Sequence, residues 1–163
     1  MRVSRTAGCN GGRSVDRCGD ERYSIPRDAP TPYRIHGWQL TVVSRLRVLI
    51  ADDNARVVKS VSRLLAMDYD VVGSVANGSG VLEAAQDLHP DVIVLDLSLR
   101  DGDSLEACRQ VTLQLPDTKV IVFSADHDPD VTARAYDAGA SDVVNKLVAD
   151  ALLSAVRRLD GNR

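Results

Sequence analysis

The chain lacks any long apolar run: its apolar stretches reach only about five residues before a charge or a turn-forming residue intervenes. A membrane-spanning helix needs about 20, so none is expected. There is also no apolar signal-peptide core behind the N-terminal arginines, which points to a cytoplasmic protein. Cysteine is scarce. Cys9, Cys18 and Cys108 form no paired framework and no C-x-x-C knuckle, and no histidine stands at ligand spacing. Cys108 falls in a helical pattern and reads as a small core or boundary residue. Lysine is rarer than arginine, with Lys59, Lys119 and Lys146 the whole complement, and the arginine bias carries no functional weight. The few aromatics, Tyr33 and Trp38 among them, make no stacking platform. What is present is a chain of 163 residues, 44 % hydrophobic and 26 % charged, with net charge −3. That is enough for one globular domain with some chain to spare.

The character changes near residue 45. Residues 1–44 scatter Gly8, Gly11, Gly12, Gly19, Pro26, Pro30 and Pro32 without helical or strand periodicity, which reads as irregular or disordered chain. Seven arginines against four acids make this segment net +3, leaving −6 for the remainder. Two readings of it stay open. It is a basic leader, or the start is placed too early and translation begins at Val42 or Val43; the second is favoured.

From Leu46 onward strands and helices alternate. Strands are expected at Arg47–Ala51, Asp70–Val75, Asp91–Leu95, Thr118–Phe123 and Asp142–Val144. Helices are expected at Asn54–Met67, Gly78–Leu88, Asp103–Leu115, Pro129–Ala138 and Val148–Leu159. In the first helix Val57, Val58, Val61, Leu64 and Leu65 line one face. The run Val92–Leu95 is apolar throughout, as in a parallel strand buried on both sides. The predicted fold is α/β: a doubly wound, five-stranded parallel sheet in flavodoxin-like order 2-1-3-4-5, with helices on both faces.

In such a sheet ligands bind outside the carboxyl ends of the strands, at the switch point between the first and third. Those ends carry Asp52, Asp53 and Asp96, with Ser124 and Lys146 ending the fourth and fifth strands. Taken singly, Asp52-Asp53 reads as a helix cap, Asp96 as a turn residue and Lys146 as a solvated cation. Together they match phosphoryl transfer, in which three equatorial oxygens need positioning and charge stabilisation. Crowded carboxylates repel, and Mg²⁺ relieves that with hard oxygen ligands, here Asp53, Asp96 and a backbone carbonyl just beyond Asp96. Lys146 suits a second phosphoryl oxygen and the Ser124 hydroxyl a third. A carboxylate so placed can act as a nucleophile. Asp101 and Asp103 flank Gly102 and are expected to serve a turn and the N-cap of the next helix. His89 is expected at a helix boundary, and His127 at most at the rim of the pocket.

Residues 46–160 resemble the receiver domain of two-component response regulators, through V-L-I-A-D-D-N, P-D-V-I-V-L-D-L-S-L, V-I-V-F-S-A and A-G-A-S-D-V-V-N-K. The resemblance implies phosphorylation of Asp96 by the phosphohistidine of a histidine kinase or histidine phosphotransfer protein. It implies Mg²⁺ held by Asp53 directly, by Asp52 through water and by the Ser98 carbonyl, with Ser124 as switch hydroxyl and Lys146 as the phosphate-pairing cation. The sequence departs from the family at Arg100, where proline is usual, at Ser104, where glycine is usual, and at Val143, where the switch aromatic normally stands. Leu147 also follows the lysine in place of proline or aspartate.

The expected function is a single-domain phosphoacceptor that switches protein–protein contacts and catalyses only its own phosphorylation and dephosphorylation. Its expected partners are the kinase and an unidentified downstream protein, with no membrane and no direct nucleic-acid contact, since no helix-turn-helix follows. A homodimer rests on family analogy alone. The alternative is a receiver fold serving protein contacts without phosphorylation. A haloacid dehalogenase-type hydrolase would need D-x-D, which Asp52-Asp53-Asn54 lacks, and a flavodoxin would need a Ser/Thr-Gly phosphate loop after Ala51.

Overall fold

In a computed structural model of the chain, the described residues are 33–35, 38–40, 45–101, 104–126, 128–148 and 150–161. The chain divides into two units, Met1–Val42 and Val43–Arg163. In the first, strands β1 (Tyr33–Ile35) and β2 (Trp38–Leu40) pair antiparallel, with Ile35 opposite Trp38. The expectation of no strand periodicity over residues 1–44 does not hold for this ribbon. Tyr, Ile and Trp favour extended backbone.

The second unit alternates strictly. Its elements are β3 (Arg47–Ala51), α1 (Ala55–Leu65), β4 (Asp70–Val75), a 3₁₀ turn (Gly78–Gly80) running into α2 (Val81–Leu88), β5 (Val92–Leu95), α3 (Ser104–Gln114), β6 (Lys119–Ser124), α4 (Pro129–Asp137), β7 (Asp142–Asn145) and α5 (Ala151–Asp160). The five strands are parallel in the order β4-β3-β5-β6-β7. Numbered within this sheet, that is the expected 2-1-3-4-5.

Alternation along the strands builds two cores. Leu49, Ala51, Ile93, Leu95, Val120 and Val122 face α2, α3 and α4, where they meet Val81, Ala85, Cys108, Val111 and Ala135. Val48, Ile50, Val92, Val94, Ile121 and Phe123 face α1 and α5, where they meet Val61, Leu65, Leu152 and Val156. Consecutive residues of a strand point to opposite faces, so continuous apolar runs are what a sheet covered on both sides requires. Each fully buried Leu, Ile or Val contributes about 1.5–3 kcal/mol of transfer free energy. Burial also pushes the Cys108 thiol up to about 11, which marks it as an inert core residue.

Local chemistry sets the element ends. The Asn54 side chain caps α1 by accepting from the Arg56 amide at 3.0 Å, and Asp128 caps α4 by accepting from Asp130 N at 2.8 Å ahead of Pro129. His89 closes α2 in the left-handed conformation (φ 44°), as its boundary position leads one to expect. The last helix begins at Ala151, later than the expected Val148. The reason is Asn145, whose side chain accepts from Leu147 N at 2.7 Å and whose carbonyl accepts from Val148 N at 3.2 Å. That turn spends three residues before helix can start, and it carries Lys146. Among the described residues no helix is long and apolar enough to cross a membrane.

Gly139 turns the chain from α4 into β7 with φ +94°, and a Cβ there would lie 2.6 Å from Thr112 Oγ1. Backbone conformation and space both require glycine. Gly139→Ala is expected to lower stability by about 1–2 kcal/mol, read as a reduced urea midpoint at unchanged slope; an unchanged midpoint would contradict it.

Candidate functional site: a three-carboxylate pocket at the strand ends

The ladder register brings the site together. Ala51 pairs with Leu95 and Leu95 with Val122, so β3, β5 and β6 end nearly level. The next residue on each of the first two strands is an aspartate, and Asp96 N continues the ladder by donating to Ala51 O at 2.8 Å. Ser124 pairs with Asn145 across β6 and β7, and Lys146 N donates back to Ser124 O at 2.9 Å. Acid ends and lysine end are thereby held on one edge of the sheet.

Carboxylate oxygens of Asp52, Asp53 and Asp96 all lie within 4.8 Å of one another. Asp52 and Asp96 are buried, at 3 % and 4 % exposure. Lys146 Nζ lies 2.7 Å from Asp52 Oδ2 and 2.7 Å from Asp96 Oδ2, one ammonium serving both. The remaining oxygens of that pair accept backbone amides: Asn54 N donates to Asp52 Oδ1 at 2.8 Å and Ser98 N to Asp96 Oδ1 at 3.0 Å. The Phe123 ring, its centroid 5.6 Å from Nζ, adds a cation–π contact. Buried charges cost several kcal/mol each unless paired and hydrogen-bonded; both conditions are met here.

The third acid is arranged differently. Asp53 Oδ2 accepts from Arg100 Nε at 2.9 Å. With Arg100 83 % exposed, that pair contributes no more than about 1 kcal/mol. Both residues line an open cleft of about 540 Å³ with Ala76, Asn77 and Asp101.

The structure brings Asp52, Asp53, Asp96 and Lys146 into mutual contact or close approach. Ser124 is at the end of β6 and buried, its Oγ accepting from Asp126 N at 3.1 Å. Ser98 reaches Asp96 through its amide. Val143 packs against the core beneath α2, α3 and α4, so that position has no aromatic ring. Asp103 and His127 lie outside the described residues. Asp101 stands in a turn, as expected, but its carboxylate reaches beyond it: it accepts from Gly78 N and Ser79 N, each at 2.9 Å, capping the turn ahead of α2. The Arg100–Asp53 pair was not legible either. The only signal was an arginine where a proline is usual, next to a cluster of acids.

The sequence matches the response regulator receiver domain over residues 48–157. The chain belongs to the response regulator receiver family. It is 33 % identical over 120 residues to the response regulator protein VraR of Staphylococcus saprophyticus, covering 72 % of this chain and 57 % of that one. It is 31 % identical over 117 residues to the transcriptional regulatory protein DegU of Brevibacillus brevis, covering 70 % and 50 %. This receiver chain thus spans about half the length of those relatives. Among solved structures it resembles the receiver domain of the putative response regulator NarL from Mycobacterium tuberculosis, with TM-score 0.69 and 26 % identity over 74 % of this chain and 99 % of that one. A LuxR-family two-component response regulator from Aurantimonas sp. SI85-9A1 aligns with TM-score 0.68 and 27 % identity, over 72 % of this chain and 87 % of that one.

Two predictions test this geometry. Lys146→Met leaves two buried carboxylates without their cation, and is expected to cost about 3 kcal/mol in metal-free buffer, part of it regained on adding Mg²⁺. A thermal melt that matches wild type would refute that. The amides of Ser79 and Gly78 hold the Asp101 carboxyl below its ordinary value of 3.8. A depressed folded-state value means that its contribution is present above the unfolded pKa and is lost as pH falls through the folded one. Carboxyl ¹³C shifts followed by NMR should place Asp101 below 3.8; a value at or above that would break the assignment.

Proposed function

We propose that residues 45–163 form a phosphoacceptor receiver that takes a phosphoryl group onto Asp96 from the phosphohistidine of a histidine kinase or histidine phosphotransfer protein, with residues 1–44 standing outside that role. The observation that carries this reading is Lys146 Nζ at 2.7 Å from both Asp52 and Asp96. It is a cation held where a phosphoryl group on Asp96 would need one. In the transfer, an Asp96 carboxylate oxygen forms the new O–P bond as the donor's N–P bond breaks and the imidazole leaves. Lys146 then turns from pairing a carboxylate to pairing a phosphoryl oxygen, and the Ser124 O–H is the donor for another.

Three hard carboxylate oxygens within 4.8 Å suit Mg²⁺. Asp53 would hold it directly, Asp52 through water, and Asp96 and the Ser98 carbonyl would complete the protein ligands. The ion supplies charge neutralisation on the phosphoryl group. The unit acts on no separate substrate; its output is a change in protein–protein contacts in the cytoplasm.

A second reading, a receiver fold used for contacts without phosphorylation, is favoured by one observation: Arg100 already engages Asp53. Intact mass separates the two. With Mg²⁺ and a small acyl-phosphate donor, wild type is expected to gain one phosphoryl group, which Asp96→Ala and a chelator each abolish. No gain, together with no response to fluoroberyllate, would overturn the phosphoacceptor reading in favour of the second.

A further inference from the structure

Each carboxylate of the pocket is matched by a cation of the chain itself, but the matching is unequal. Asp52 and Asp96 share Lys146, whose side chain is only 16 % exposed. Asp53 holds Arg100, whose side chain is 83 % exposed. The first arrangement is buried. The second is a surface pair that can open without loss of packing.

The base of Arg100 is nonetheless fixed. Its neighbour Asp101 is fastened by the Gly78 and Ser79 amides, each at 2.9 Å. Arg100 itself lies four residues past Asp96, in the loop between β5 and α3. The guanidinium is therefore tethered beside Asp53 at high effective concentration while its side chain stays free to swing into the cleft that Asp53 and Arg100 both line. A divalent ion that takes Asp53 Oδ2 as ligand must displace this contact, and one that takes Oδ1 meets the guanidinium as a like charge.

We propose that Arg100 is a built-in counter-ion that competes with the divalent cation for Asp53 and sets the metal affinity of the resting pocket. This rests on the metal-binding reading of the three aspartates. The structure assigns Arg100 a positioning role: it acts through Asp53 and its displacement accompanies metal binding. The arginine thereby tunes how much Mg²⁺ the receiver needs before Asp96 can react, a dependence that the proline usual at this position could not impose.

The test is direct metal binding by the full chain, measured by isothermal titration with MgCl₂ at fixed ionic strength, with no phosphodonor present. Arg100→Met is expected to bind Mg²⁺ about two- to fivefold more tightly than wild type, the worth of an exposed ion pair. Arg100→Lys, which keeps the charge, should stay near wild type. Arg56→Met removes a charge three residues from Asp53 that makes no ion pair among the described residues, and should leave the affinity unchanged. Asp53→Asn should lose binding. If Asp53→Asn loses binding while Arg100→Met binds as wild type does, the counter-ion inference falls and the metal site stands. Equal gains for Arg56→Met and Arg100→Met would reduce the effect to net charge and also overturn it. Absence of binding in both wild type and Arg100→Met would overturn the metal site together with the inference.

Discussion

Two buried carboxylates face one ammonium, and the rest of this structure is arranged so that they can. Lys146 Nζ at 2.7 Å from Asp52 and from Asp96 closes a contact across 94 and 50 residues of chain. Burying two carboxylates without such a cation would cost several kcal/mol each. The strands that deliver these residues are apolar on both faces and lie between two helical layers, which keeps the ends of β3 and β5 out of bulk water, where such a pair is worth little. The two cores are thus a condition of the pocket as much as of stability. The turn made by Asn145 has the same logic: it delays α5 and sets Lys146 down at the end of β7.

Around that fixed centre lies a softer rim. The loop after β5 carries Arg100 and Asp101, one reaching Asp53 and the other capping the turn that opens α2. One short segment past Asp96 thus touches both the acid cluster and a neighbouring helix start. Val143 on β7 packs into the core beneath α2, α3 and α4.

Much of the site was legible in the residues. Asp52, Asp53, Asp96 and Lys146 each follow an apolar strand run, and parallel α/β topology collects such positions at one edge. His89 and the Asn54 cap follow from local backbone chemistry in the same way. The failures share a cause. Asp101 is expected to act locally, in the turn or at the cap of the next helix, yet its partners are 23 and 22 residues upstream. Arg100 stands out in the sequence only as a departure from the usual proline, yet its partner is 47 residues away. The ribbon at Tyr33–Leu40 was missed because two strands of three residues are too short to show a period.

The sequence by itself determined the layered architecture, the strand order and the inventory of charged groups at the sheet edge, because hydrophobic period and strand-end position are properties of neighbouring residues. Only the tertiary structure decided how those charges are shared: one lysine between two acids, one arginine on the third, one aspartate spent on a distant helix turn. Such pairings depend on distances between loops, and a few ångströms through space, unlike a repeat along the chain, leave no mark in the order of residues.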